Sequence, residues 1–589
     1  MPLGKAFSVA VTGVDGQLVE IEADIGQGLP SVHLVGRPDS VLQESRDRVR
    51  AAVTNTGEKW PDGRVILALS PATLPKVGSV YDLALAAAVL DAAGSIPSYR
   101  LGDTVLLGEL ALDGRVRRVR GILPAVIAAR NAGRKTVIVP TAALPEAGLV
   151  DGVRVLGAST LTELVDWLRG GGELTRPEPV EATPIRTNGD LSEVVGQDEA
   201  RWALEVAAAG GHHLLLTGPP GIGKTMLAQR LPSLLPQLRE RDSLEVTAIH
   251  SVAGTLSDDY PLITAPPFVA PHHSSSVASM IGGGSGSARP GAVSCAHRGV
   301  LFLDECAEIS TKVLEALRTP LEEGEVRIAR RDGVVRYPAR FQLVLAAKPC
   351  PCAPARDIDC ICAPLARRRY LGKLSGPLMD RIDLAVQMHA QAAGAFTAEE
   401  TESSEVVRAR VTAAREAANK RWAELNMSTN AEVPGHILRQ RFRLPREALA
   451  PVENALKHGR MSARGADRAI RVAWTVCDLR GGDPPHCPRH SASLELPPKR
   501  CRMSGLPRIS ALRVIEPDID DRGRGPQVLL SAVADRAIRI GWTVWDLGGW
   551  LAERWLVQVD GRSSPAVSGG STAAVDVLEA FDFPKRGAA

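Results

Sequence analysis

The sequence predicts an α/β protein of several domains, with a nucleotide-binding parallel-sheet module at its centre and helices behind it. Three observations carry that prediction. At 589 residues the chain exceeds what a single hydrophobic core sustains. The octet GPPGIGKT at Gly218–Thr225 sits between an apolar run and a helical one. Alternating strand and helix patterns before residue 170 are replaced by helical periodicity after residue 396. Bulk composition is that of an ordinary soluble protein, 44% hydrophobic and 23% charged. The net charge of +3 is too small to imply a polyanionic partner, so any nucleic-acid surface must be a local patch. No segment reads as a signal peptide or membrane span, which points to the cytoplasm and to no membrane partner. Nine cysteines then suggest thiols or a metal site rather than a disulfide framework.

Residues 1–170 read as a compact α/β domain. Val9–Val14, Leu18–Ile25, Val65–Leu69 and Thr136–Val139 are its expected strands, and Ser40–Thr54, Tyr81–Ala93 and Ile122–Ala132 its helices. Residues 171–189, rich in glycine, proline and charge, read as a linker. A second α/β block spans 190–390 and is interrupted by glycine- and serine-rich stretches, the longest around Ser274–Gly291. Residues 391–480 are helical, with helices expected at Thr397–Leu425, Leu444–His458 and Ser462–Leu479. Residues 481–589 form an irregular tail. Within it Ala534–Leu547 repeats Ala466–Leu479 at eleven of fourteen positions, which suggests a duplicated segment rather than a repeat array.

The chemistry gathers on the octet. His213–Thr217 should be a buried strand and Met226–Leu231 a helix. In that setting the backbone N–H groups of Gly218, Pro219, Pro220, Gly221, Ile222 and Gly223, prolines excepted, are available to wrap phosphates. Lys224 reaches the outer phosphates and the Thr225 hydroxyl holds magnesium. Gly299–Glu305 is an apolar strand ending in two acids, with Asp304 placed for magnesium and Glu305 for the attacking water. Glu325–Phe341 reads as a hairpin turning at Asp332-Gly333, decorated by Arg327, Arg330, Arg331, Arg336 and Arg340. Such a hairpin is either a solvated basic ribbon or a sequence-independent phosphate contact. Cys350, Cys352, Cys360 and Cys362 are either free thiols or a four-thiolate structural zinc site. His272 and His273 lack ligand spacing on one helix face and read as loop residues, and the tail's Cys487, Cys501, His486 and His490 form only a loose cluster.

The stretches VVGQDEARWALEVAAAGGHHLLLTGPPGIGKTMLAQRLPSLLP at 194–236, APHHSSS at 270–276, RPGAVSCAHRGVLFLDE at 289–305 and RRYLGKLSGPLMDRIDL at 368–384 carry a family likeness. On them, roughly residues 1–480 resemble the YifB/ComM family of magnesium-chelatase-like AAA+ ATPases. The resemblance implies an AAA+ core at 190–390, a helical lid at 391–480, ATP with magnesium, and a hexameric homo-oligomeric ring. It also implies that Arg381 is an arginine finger offered to the neighbour's nucleotide, that Arg464 is the sensor-2 arginine, and that the hairpin enters a channel to touch single-stranded or branched DNA. By the same likeness the task is branch migration in DNA uptake or recombination, with a nucleotide-binding regulator and a chelatase-type subunit as alternatives. One position departs from the pattern: Lys348 stands where the family usually has the sensor-1 asparagine. Lysine only donates hydrogen bonds, so binding should survive while hydrolysis slows. The N-terminal domain is similar to the Lon-protease fold (S5 domain 2-like). It has Val80 at the nucleophile position and Leu123 at the lysine position, with Ser79 one residue away, so peptidase activity is not expected.

Overall fold

A computed structural model describes residues 3–179 and 189–481, apart from 258, 285–287, 331–332, 355–358, 375, 390–400, 443–445 and 460. Arg331, Asp332, residues 180–188 of the expected linker and the tail from 482 onward, with its repeat and its cysteines and histidines, lie outside the described residues.

The N-terminal sheet is formed by β1 (Gly4–Thr12), β2 (Asp15–Gly26), β3 (Ser31–Val35), β4 (Arg64–Ser70), β5 (Thr104–Leu106), β8 (Thr136–Pro140) and β9 (Arg154–Ala158), with β6 (Glu109–Leu110) and β7 (Val116–Arg117) as a separate short pair. Its order is β3-β4-β2-β1-β5-β8-β9. β1 pairs antiparallel with β2 and parallel with β5, so the sheet is mixed. The strand expected at Val9–Val14 begins five residues earlier and stops at Thr12, because Gly13 turns the chain at φ +68°, a region that favours glycine. The expected helices appear at Ser40–Asn55, Asp82–Ala92 and Ile122–Asn131. Every residue of Asp82–Ala92 is buried, which is why its sequence, DLALAAAVLDA, lacks a polar face.

The second sheet contains β10 (Leu214–Thr217), β11 (Phe268–Val269), β14 (Val300–Leu303), β17 (Gln342–Ala347) and β18 (Leu384–Gln387), in the order β11-β14-β17-β10-β18. Two ribbons stand beside it: β12 (Gly282–Gly283) with β13 (Arg289–Pro290), and the hairpin β15 (Glu325–Arg330) with β16 (Gly333–Pro338). All pairings in the five-stranded sheet are parallel. Its central strands are covered on both faces, which explains runs such as LLL and VLFL without alternation. All five strands point the same way, so the loops after β10, β14 and β17 meet at one edge, where open α/β sheets bind ligands.

Behind the sheet, the helix expected from Thr397 runs over Ser404–Trp422; the Ser403 side chain accepts the Val406 N–H and starts it there. Arg446–Lys457 and Ala463–Leu479 follow, the latter capped by Ser462. Trp422, Phe442 and Trp474 pack edge-to-face, with centroids 4.6 to 6.4 Å apart, and anchor this helical layer.

The N-terminal domain is seated on the helix Glu240–Ala253. Buried Glu146 accepts from the Leu123 N–H at 3.0 Å, lies 3.2 Å from Arg118, and accepts the Ser251 hydroxyl of that helix. The same helix holds His297 through Glu245 at 3.1 Å and Arg298 through Asp242 at 3.1 Å, just ahead of β14. His297 Nδ1 accepts the Arg340 N–H at 3.0 Å, which ties in the foot of the hairpin. At Gly13 the β1–β2 turn lies so near β16 that a Cβ there would stand 2.4 Å from the Arg336 carbonyl oxygen.

Candidate nucleotide site

The octet Gly218–Thr225 forms the turn between β10 and the helix Lys224–Leu234. Gly218, Gly221 and Gly223 have φ of +158°, +74° and +94°. At Gly218 a Cβ would stand 2.7 Å from the Met388 carbonyl, whereas at Gly221 it would meet nothing within 4 Å. The loop therefore closes against the sheet at its start and is open at its tip, the shape a phosphate cradle needs. Lys224 is buried and its Nζ donates to the Gly218 and Pro219 carbonyls at 2.8 and 2.7 Å. Burial lowers its pKa, with Lys348 acting in the same direction and Asp304 opposing.

Asp304 and Glu305 follow β14. The Thr225 hydroxyl donates to Asp304 Oδ2 at 2.7 Å, so a hydroxyl and a carboxylate present adjacent hard oxygens, the donor type magnesium takes. Glu305 has φ +47°, a left-handed backbone uncommon for a side-chain-bearing residue, and its N–H donates to Asp304 Oδ1 at 2.8 Å. Lys348, first residue after β17, places Nζ 2.6 Å from Glu305 Oε1. Its hydrogen bond, aided by its charge and those of His273 and Lys224, holds the Glu305 carboxyl below its ordinary range. Thus Lys224, Thr225, Asp304, Glu305 and Lys348 share one edge of the sheet. His272 and His273 stack at 4.0 Å in the loop after β11.

The two arginines expected as finger and sensor 2 lie elsewhere. Arg381 forms an ion pair with Glu322 and donates to the Pro377 carbonyl. Arg464, at the start of Ala463–Leu479, lies 3.5 Å from Asp380 and is 71% exposed. One turn along that helix is Arg468, which sequence reasoning passed over. It is buried and donates to the Met379 and Ile382 carbonyls at 2.9 and 2.8 Å, clamping the Asp380–Arg381 turn. A cation on the otherwise largely apolar face of an amphipathic helix was the available signal. A second overlooked group joins sheet and lid: His212 Nε2 meets Thr475 Oγ1 at 2.8 Å, and Asn430 bridges Thr475 and Asp478 at 3.0 and 2.9 Å. Beside His212, Asp383 stays ionised: burial opposes this, yet the two adjacent histidines hold its pKa down at about 2.

Four thiols converge. The sulfurs of Cys350, Cys352, Cys360 and Cys362 all lie within 4.8 Å of one another, with three separations of 3.4 to 3.6 Å. These are far from a disulfide, and near the roughly 3.8 Å edge of a sulfur tetrahedron around a metal with ~2.3 Å bonds. On the hairpin, Arg327 stands opposite Arg336 in the ladder. Arg327 is paired with Glu323 at 2.9 Å and also with Glu325, while Arg336 and Arg340 are exposed. Arg330 is half-buried, and its Nε finds no hydrogen-bond partner among the described residues. In the N-terminal domain Leu123 is fully buried, Val80 packs against the core, and Ser79 donates to Glu109.

Known families match the chain in three successive stretches. The family described as magnesium chelatase, subunit ChlI matches residues 190–396, that described as subunit ChlI of Mg-chelatase matches 21–143, and that described as magnesium chelatase, subunit ChlI C-terminal matches 401–495. The uncharacterized protein Rv2897c of Mycobacterium tuberculosis is 66% identical over 84% of this chain and 98% of its own length. YifB of Escherichia coli, also uncharacterized, is 40% identical over 82% of this chain and 94% of its own. The competence protein ComM of Haemophilus influenzae is 37% identical over the same shares, 82% and 94%. With three successive family matches and two such relatives spanned nearly end to end, the chain belongs to the YifB/ComM family of magnesium-chelatase-like AAA+ proteins.

Proposed function

We propose that this chain is an ATP-driven motor acting on DNA, a branch migration factor of the ComM type that works in the cytoplasm as a hexameric ring. The observation that carries this reading is the meeting of Lys224, Thr225, Asp304 and Glu305 at one edge of the parallel sheet. ATP lies along the octet with its outer phosphates toward Lys224. Thr225 and Asp304 hold magnesium, which neutralises charge on the phosphate oxygens. Glu305 orients a water whose oxygen attacks the γ-phosphorus; the β–γ bridging P–O bond breaks, and the water's proton passes to the carboxylate. Arg381 leaves Glu322 to face the neighbour's nucleotide, and Arg464 reads the phosphates from the lid. Arg327, Arg330, Arg331 and Arg336 track the DNA backbone. Residues 1–170 serve as a non-peptidase Lon-like domain, 190–390 as the ATPase core and 391–480 as the lid.

The test is ATP hydrolysis by the full chain with and without branched DNA, across a salt series. Stimulation that fades as salt rises is the expected result. Equal rates with and without DNA remove the DNA motor. A second reading, a nucleotide-binding regulator with slow turnover, is favoured by the Lys348–Glu305 pair, because the base engages an ammonium instead of water. Lys348→Asn should raise turnover about tenfold, as expected on returning a general base to its task; no gain excludes this role for Lys348.

The four cysteines hold a structural zinc that staples the loop after β17. Purified protein should carry one zinc per chain by elemental analysis, and Cys352→Ala with Cys362→Ala should release it. Metal-free parent protein with four titratable thiols would exclude the site.

A further inference from the structure

We propose that Arg468 is a positioning residue for Arg381: by holding the Asp380–Arg381 turn onto the lid helix Ala463–Leu479, it sets where the Arg381 guanidinium can reach on a neighbouring subunit. The inference rests on the reading of Arg381 as the residue offered across a ring interface.

The turn is short, and Arg468 grips it on both sides. Arg468 is 3% exposed, and its Nη1 donates to the Met379 and Ile382 carbonyls at 2.9 and 2.8 Å. Those carbonyls bracket Asp380 and Arg381. The turn's own bonds run from the Arg381 N–H to the Leu378 carbonyl at 3.0 Å and from the Ile382 N–H to the Met379 carbonyl at 3.1 Å. Beyond it, the Asp383 and Leu384 N–H groups donate to the His213 carbonyl at 3.2 and 3.1 Å, where β18 joins the sheet beside β10. Arg468 thus ties to the lid helix a turn that the sheet holds from the other side.

The helix is a firm base for such a grip. At its far end Thr475 Oγ1 meets His212 Nε2 at 2.8 Å, and Asp478 pairs with Arg421. Arg464, one turn before Arg468, lies 3.5 Å from Asp380, so both arginines face the turn. Arg381 needs the hold. The charges of Arg318 and Arg464 add to burial in lowering its pKa, while Glu322 is the acid it pairs with. Once the guanidinium leaves Glu322, like charges surround it, and the place of its backbone decides where it starts. An arginine suits the position of Arg468 because its rigid fork stays charged when buried and serves two carbonyls at fixed angles. Methionine would fill similar space and donate nothing.

The experiment measures ATP affinity and steady-state phosphate release for the full-length protein and its Arg468→Met, Arg468→Lys and Arg381→Ala variants. Each is assayed alone and co-assembled in equal amounts with Lys224→Ala, whose own octet is expected to lose nucleotide. Arg468→Met should lower kcat about a hundredfold, the scale of a reacting group misplaced by about 1 Å, and leave ATP affinity unchanged. Arg468→Lys, which keeps a charged donor, should recover part of that loss. Co-assembly should raise the Arg468→Met rate at least about tenfold, because each ring interface joins one subunit's octet to the next one's Arg381. The Lys224→Ala subunits then supply a correctly held Arg381, a rescue that a structural or same-subunit role for Arg468 does not give. An unmoved kcat, a weakened ATP affinity, or no rescue of Arg468→Met beside rescue of Arg381→Ala overturns the proposal while Arg381 stands. If Arg468→Met does not fold, the same comparison on Arg468→Lys decides. An Arg381→Ala variant that keeps the parental rate, or is not rescued, overturns the reading of Arg381 as well.

Discussion

Glu305→Gln is expected to slow ATP turnover by about a thousandfold while magnesium-dependent nucleotide binding persists. The amide keeps the shape of the carboxylate and can still accept from a water, but it cannot take the proton. Position makes the effect large. Glu305 stands two residues after the buried strand β14 with φ +47°, and its N–H is fastened to Asp304, so the side chain is aimed by the backbone rather than by a flexible loop. Steady-state phosphate release reads the outcome. A loss below tenfold would mean that another group activates the water.

Lys224→Ala is expected to weaken nucleotide binding at least about a hundredfold without unfolding the protein. The loss follows from removing a charge-assisted contact to the outer phosphates, compounded by the loop's own response. Two carbonyls, of Gly218 and Pro219, now accept from this ammonium and would be left facing the cradle, repelling phosphate. Stability should change little, because taking a buried ammonium out of a low-dielectric site offsets the lost hydrogen bonds. Binding titration and thermal melting of the same sample separate the two effects. Undiminished affinity with an intact fold would remove the phosphate-loop reading altogether.

Local signals in the sequence carried further in some places than in others. The octet, the strand before Asp304 and the hairpin were legible because each is a local pattern: glycines with a lysine at fixed spacing, an apolar run ending in acids, alternation around a turn. The start of β1 was not. Lys5 and Ser8 break the apolar run, and only pairing with β2, from Gly4↔Ala23 onward, extends the strand. Alternation puts Glu325 on the same face as Arg327, but nothing in it says that Glu323, from the helix before the strand, pairs with that arginine too, which halves the free charge expected of the strand. Arg381 seemed open to a neighbour, but its ion pair with Glu322 depends on the helix Arg318–Glu323 lying alongside. Arg468 and the Asn430–Thr475–Asp478 group escaped notice for the same reason. Their partners are separated by tens of residues, and burial alone makes them polar necessities rather than surface decoration.

The crowding at Gly13 limits the hairpin on one side. Where even a methyl group would overlap the Arg336 carbonyl, β16 has no clearance toward the β1–β2 turn of the N-terminal domain. A shift of the ribbon toward that turn is blocked there, so the turn acts as a backstop. The residue that sets it, glycine with φ +68°, has no side chain through which the setting could be softened.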